Sequence, residues 1–153
     1  MSGNQYVELI RRVLAENSIA LGDDEIERMA RLANKVRVPM REDIMRNFVA
    51  AYLRVVLGWS AKNADKVASS SRGRRTWENK IRIELSWCLG KCEEFCLSEV
   101  KPAVRLILAL RGEGEFRGTE LIECILDCME RECGTSISYF RDVINNMHNH
   151  DNE

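Results

Sequence analysis

Histidine is nearly absent from this sequence: the two that occur, His148 and His150, stand at the C-terminal end in a stretch expected to fray. A Ser–His or Cys–His catalytic pair, or a buried His-ligated metal, therefore has no imidazole to draw on. Proline is limited to Pro39 and Pro102, aromatics are sparse, and no alternation of apolar and polar residues is long enough for a strand, which excludes a β-sandwich or barrel reading. No apolar run approaches the roughly 20 residues that span a bilayer. Met1 to Asn17 carries Arg11, Arg12 and polar residues where a secretory leader needs a continuous apolar stretch, so no leader is expected. A formal net charge of -1 removes any global field drawing the chain onto nucleic acid or an anionic membrane.

What is present is material for helices. The 153 residues are 45% apolar and 31% charged, enough to bury one core and too apolar for a disordered chain. Tyr6, Leu9, Ile10, Val13 and Leu14 recur at helical spacing. Asp23 and Asp24 suit the N-terminus of a second helix burying Ile26, Met29, Leu32, Ala33 and Val36. Pro39 separates it from a third, opened by Glu42 and Asp43, whose wide apolar face from Ile44 to Leu57 marks a central element ended by Gly58. Ser60 suits the cap of a short segment reaching Val67, and the Ser69–Gly73 run reads as a break.

A long helix is predicted from Thr76 to about Ser98, and shorter ones over Ala103–Leu110, from Thr119 to Gly134, and over Ser138–Met147. The expected architecture is all-α, a single globular bundle of about seven helices over residues 1–148, with a disordered tail at 149–153. A boundary between two half-bundles near 69–75 is the alternative organisation.

Six cysteines without a leader are expected to be reduced thiols, which places the chain in the cytoplasm or nucleus. Cys88, Cys92 and Cys96 fall at i, i+4 and i+8 on one helix face, and Cys124 and Cys128 repeat the spacing. Burial as small apolar side chains is the first reading. The second pairs Cys92 and Cys96 with Cys124 and Cys128 across antiparallel helices, as four thiolate ligands of a metal or as two bridges. That spacing resembles the twin Cys-x-x-x-Cys hairpin of small intermembrane-space chaperones, but the intervening stretch is longer and carries a further helix, so no family is assigned. Cys133, near a helix C-terminus, gains no activation from the helix dipole.

Arginine outnumbers lysine by 17 to 6, and the dense basic cluster is Arg72, Arg74, Arg75 and Lys80 around Trp77. As an exposed loop it would grip phosphates and stack a base on the indole. The Gly112–Gly118 stretch lacks the Gly-Lys-Ser/Thr ending of a phosphate loop and reads as a connector. Leu126, Cys128 and Glu130 match a Leu-x-Cys-x-Glu peptide motif that acts in extended form, whereas here it lies in a helical pattern. Phe140 to Asn145 resembles the start of a Bcl-2 homology segment without the Trp-Gly-Arg that should follow.

With no catalytic constellation and no cofactor motif, the leading expectation is a non-enzymatic helical protein-binding or regulatory module, self-associating, with Trp59 and Trp87 as interface anchors. RNA binding through Arg72–Lys80 is the alternative, and a Bcl-2-like death regulator a lesser one.

Overall fold

The computed structural model describes residues 2–99 and 115–133. Among these residues there are six helices and no strand: α1 (Ser2–Glu16), α2 (Asp23–Lys35), α3 (Glu42–Val55), α4 (Ala61–Asp65), α5 (Ser71–Glu99) and α6 (Glu115–Cys133). The fold is all-α. No helix among the described residues is long and apolar enough to cross a membrane. The helices expected over 103–110 and 138–147, the tail at 149–153 and the Bcl-2-like stretch at 140–145 lie outside the described residues.

Helix α3 is the centre, as the width of its apolar face predicts. Met45, Phe48, Val49, Ala50, Ala51, Tyr52, Leu53 and Val55 are all buried, and the helix packs against α1, α4 and α5. Phe48 anchors this core, meeting Trp77 edge-on at 6.0 Å and Tyr52 at 6.4 Å between ring centroids. Such aromatic pairs contribute beyond the area they bury.

Three left-handed residues turn the chain between these helices. At Ser18 (φ 56) the Ile19 N–H donates to the Leu14 carbonyl at 2.9 Å, and at Arg37 (φ 57) the Val38 N–H donates to the Ala33 carbonyl at 3.0 Å. Both close their helix in the Schellman pattern at a position where glycine is usual. Gly58 (φ 75) supplies that glycine after α3. The Tyr6 hydroxyl then ties α1 to the second of these turns by donating to the Val38 carbonyl at 2.7 Å. Ser60 caps α4 as its sequence implies, accepting from the Asn63 N–H at 3.1 Å.

The Ser69–Gly73 stretch corrects the sequence reading, because α5 begins at Ser71 rather than Thr76. The cause is a polar side chain inside α3. Asn47, itself buried, accepts at Oδ1 from the Ser69 and Ser70 N–H groups at 2.9 and 3.1 Å, and the Ser70 hydroxyl accepts from the Gly73 N–H at 3.0 Å. Donors that a helix start leaves unpaired are thus met from a neighbouring helix. Gly73 is required by proximity: a Cβ there would overlap the Asn47 amide. Helix α6 also starts earlier than expected, at Glu115 instead of Thr119, so Phe116 to Gly118 are helical and not part of a connector.

Helix α5 changes partners along its length. Trp77, Ile81 and Leu85 are buried in its first half, and beyond them Cys88, Cys92 and Cys96 face α6, which contributes Ile125, Leu126, Cys128 and Met129. Arg28 of α2 joins the core to this hairpin, its Nε 2.7 Å from Glu25 Oε2 and its Nη1 3.3 Å from Glu130 Oε1.

Candidate functional site

The basic cluster is helical, and two of its five residues point inward. Arg74 retains 4% of its accessible surface. Its Nε lies 2.6 Å from Asp65 Oδ1 and its Nη1 2.5 Å from Glu78 Oε1, while Arg54 approaches the same Glu78 oxygen at 3.7 Å. Burial alone would pull the Arg74 pKa down, but the Asp65 hydrogen bond and the Glu78 charge more than offset it. The same hydrogen bond holds the Asp65 carboxyl below the usual carboxylate range. Trp77 is buried against Phe48, with the Lys80 ammonium 4.4 Å from its ring centroid. The cluster is therefore the joint between α4, α3 and α5, and leaves Arg72, Arg75 and Lys80 at the surface.

The six cysteines form a ladder between α5 and α6. Cys96 pairs with Cys124, Cys92 with Cys128 and Cys88 with Cys133, at Cα separations of 5.9, 5.7 and 6.2 Å. This corrects the expectation of six separate reduced thiols, since none of the six is unpaired. It also resolves Cys92, Cys96, Cys124 and Cys128 into two bridges rather than one four-thiolate site. The physical reason is register: a four-residue step advances each helix by about 6 Å and returns to nearly the same azimuth, so antiparallel helices with matched steps bring the pairs together. The third rung breaks the match, because Cys133 follows Cys128 by five residues while Cys88 precedes Cys92 by four. That offset is why the spacing alone pointed to two rungs.

The extra residue turns Cys133 toward its neighbours on α5. The Sγ atoms of Cys88, Cys92 and Cys133 all lie within 4.8 Å of one another, and all three residues are buried. The Leu-x-Cys-x-Glu stretch belongs to the ladder as well, with Cys128 bonded to Cys92 and Glu130 held by Arg28.

Of the two anchors predicted for an interface, Trp59 is half-buried, its indole packed against the core. Trp87 stands in solvent with 67% of its surface accessible, and Ile83, one turn before it, with 59%. Phe95 continues the apolar character two turns on at 46%. Between them Gly90 is exposed, and among the described residues a side chain there would meet nothing within 4 Å. A cleft of about 280 Å³ runs along the flank of the ladder, walled by Trp87 and Phe95, rimmed by Lys35, Lys91, Arg131, Glu84 and Glu132, and backed by Cys88, Cys92 and Cys128. The position of Trp87 was legible in the sequence, because it sits about 100° from Cys88 and off the buried stripe.

No protein-family model, curated protein or solved structure matches the chain.

Proposed function

We propose that this chain is a non-enzymatic interaction module that self-associates through the outer face of α5. The observation that carries the reading is Trp87, exposed beside Ile83 on a helix whose position is fixed by covalent bridges. A large aromatic left in water on a rigid element is the residue type that dominates interface energetics, and its rigidity lowers the entropy lost on docking. Gly90 fits the same reading. Mid-helix glycine costs about 1 kcal/mol relative to alanine, and among the described residues no contact requires it there, whereas a neighbouring helix lying close would.

Charge favours a second copy as the occupant. The face carries both signs, with Glu84 and Lys91 placed on either side of Trp87. If α5 crosses its own copy antiparallel about a two-fold axis near Trp87, Glu84 of each chain meets Lys91 of the other, a self-complementary arrangement of the kind two-fold dimers need.

Sedimentation equilibrium tests this. Wild-type chain is expected to populate a dimer at roughly 100 µM or below, and Trp87→Glu to sediment as a monomer with unchanged helicity. Glu84→Lys should weaken the dimer and adding Lys91→Glu should restore it. A wild-type monomer throughout, or a dimer indifferent to Trp87→Glu, overturns the reading.

The state of the ladder follows the compartment. An oxidising compartment keeps the three rungs closed, while in the cytoplasm or nucleus the glutathione pool favours six thiols.

A further inference from the structure

We infer that Cys88, Cys92 and Cys133, once reduced, form a binding site for a thiophilic d10 cation, Zn2+ or Cu+. The three sulfurs are buried and lie within 4.8 Å of one another. Thiolates bonded at about 2.3 Å to one such cation stand roughly 3.8–4 Å apart, so Cys88 and Cys133, bonded to each other in the closed ladder, must part to that spacing after reduction, a change of side-chain torsion. An all-sulfur donor set selects soft cations over Mg2+ or Ca2+. The sequence pattern explains the convergence. Cys88 and Cys92 share one face of α5, and after the five-residue step from Cys128 the Cys133 sulfur meets Cys88 and lies within 4.8 Å of Cys92 as well.

The surroundings supply what a metal site requires. The cleft beside Trp87 reaches Cys88 and Cys92 and gives an entry path from solvent. It also reaches Cys128, whose sulfur is bonded to Cys92 in the closed ladder and becomes a fourth donor when that bridge opens. Three or four thiolates around the cation leave excess negative charge. Lys35, Lys91 and Arg131 line the same cleft, opposed there by Glu84 and Glu132. The distal rung, Cys96–Cys124, lies about one helical turn further along and does not join the cluster, and Cys124 is only half-buried.

Bridge and metal are alternative states of the same sulfurs. Opening Cys88–Cys133 and Cys92–Cys128 takes two electrons and two protons each from a dithiol reductant, which leaves as its own disulfide. Binding of the cation then releases one proton for each thiol that becomes a ligand.

The test uses full-length chain reduced with a phosphine that is then removed anaerobically, because a phosphine itself ligates Cu+. Zn2+ is titrated against a chromophoric chelator, Cu+ against a copper(I) chelator, and Co2+ serves as an absorbing stand-in through sulfur-to-metal charge transfer. One Zn2+ or one Cu+ per chain is expected, with the charge-transfer band present. Cys133→Ser and Cys92→Ser should each lower the affinity at least about 100-fold, and Cys96→Ser with Cys124→Ser should leave it within about twofold. Circular dichroism of the reduced metal-free variants separates a lost ligand from a lost fold: helicity equal to that of the reduced wild type assigns the loss to the ligand. Saturation by neither cation overturns the proposal. So does a loss at Cys96 and Cys124 equal to that at Cys92, which would shift the site to the distal rung.

Discussion

Two halves of this molecule are held by different means. Helices α1 to α4 with the first half of α5 surround Phe48, Tyr52 and Leu53, and apolar packing accounts for their cohesion. Among the described residues, the second half of α5 with α6 buries Ile125, Leu126 and Met129 beside the cysteines, and is fastened by three bridges and by Arg28. Here covalent closure adds to the apolar contact between the two helices. The bridges lie in the second half alone among the described residues, so a change of redox conditions is expected to act first there.

The largest expected effect tests the packed half. Phe48→Ala removes a fully buried ring that touches Trp77 and Tyr52, and should cost about 3–5 kcal/mol in chemical denaturation. Because α5 is shared, the loss is expected in both halves. Reduction of the wild type comes next. The widest loop, closed by Cys88 and Cys133 with a sequence separation of 45, accounts for about 4 kcal/mol in the chain-entropy picture, and the nested rungs add less than their separate values. Amide exchange should then rise over 88–98 and 123–133 while α1 to α4 keep their protection. A single transition that melts both halves together would break the comparison.

The smallest effect is one of pH. The Arg74 hydrogen bond holds the Asp65 carboxyl low, so its stabilising contribution is present above the unfolded pKa of about 3.9 and is lost as pH falls through the folded value. Asp65→Asn should lower the melting temperature slightly at neutral pH, with wild type and variant converging as pH drops below that window. An unchanged melting temperature at neutral pH would show that Glu78, the other partner of Arg74, carries the joint instead.

Much of the packed half was readable from residue order. The width of the α3 face, the Ser60 cap and the Gly58 stop each depend on local pattern, and each stands where the pattern puts it. Ser69 to Gly73 misled because serine and glycine are also what a helix start needs when another helix comes close. The close approach of Asn47, 26 positions before Gly73, leaves no local trace. Arg74 read as a surface cation for a similar reason: Glu78 at i+4 was visible, but Asp65 reaches it only through the turn after α4. In the hairpin, equal spacing on both helices made two rungs one alternative behind burial as free thiols. The third hid behind one extra residue, and with it the cluster of three sulfurs.

The ladder also changes what a broken peptide bond means. The Cys96–Cys124 rung and the two beyond it join the polypeptide on either side of residues 97–123. A proteolytic cut anywhere in that interval yields two chains in sequence that remain one molecule by mass until a reductant is added. In its oxidised form the chain is topologically a set of nested rings, and the interval inside the innermost ring can be cut without parting α5 from α6.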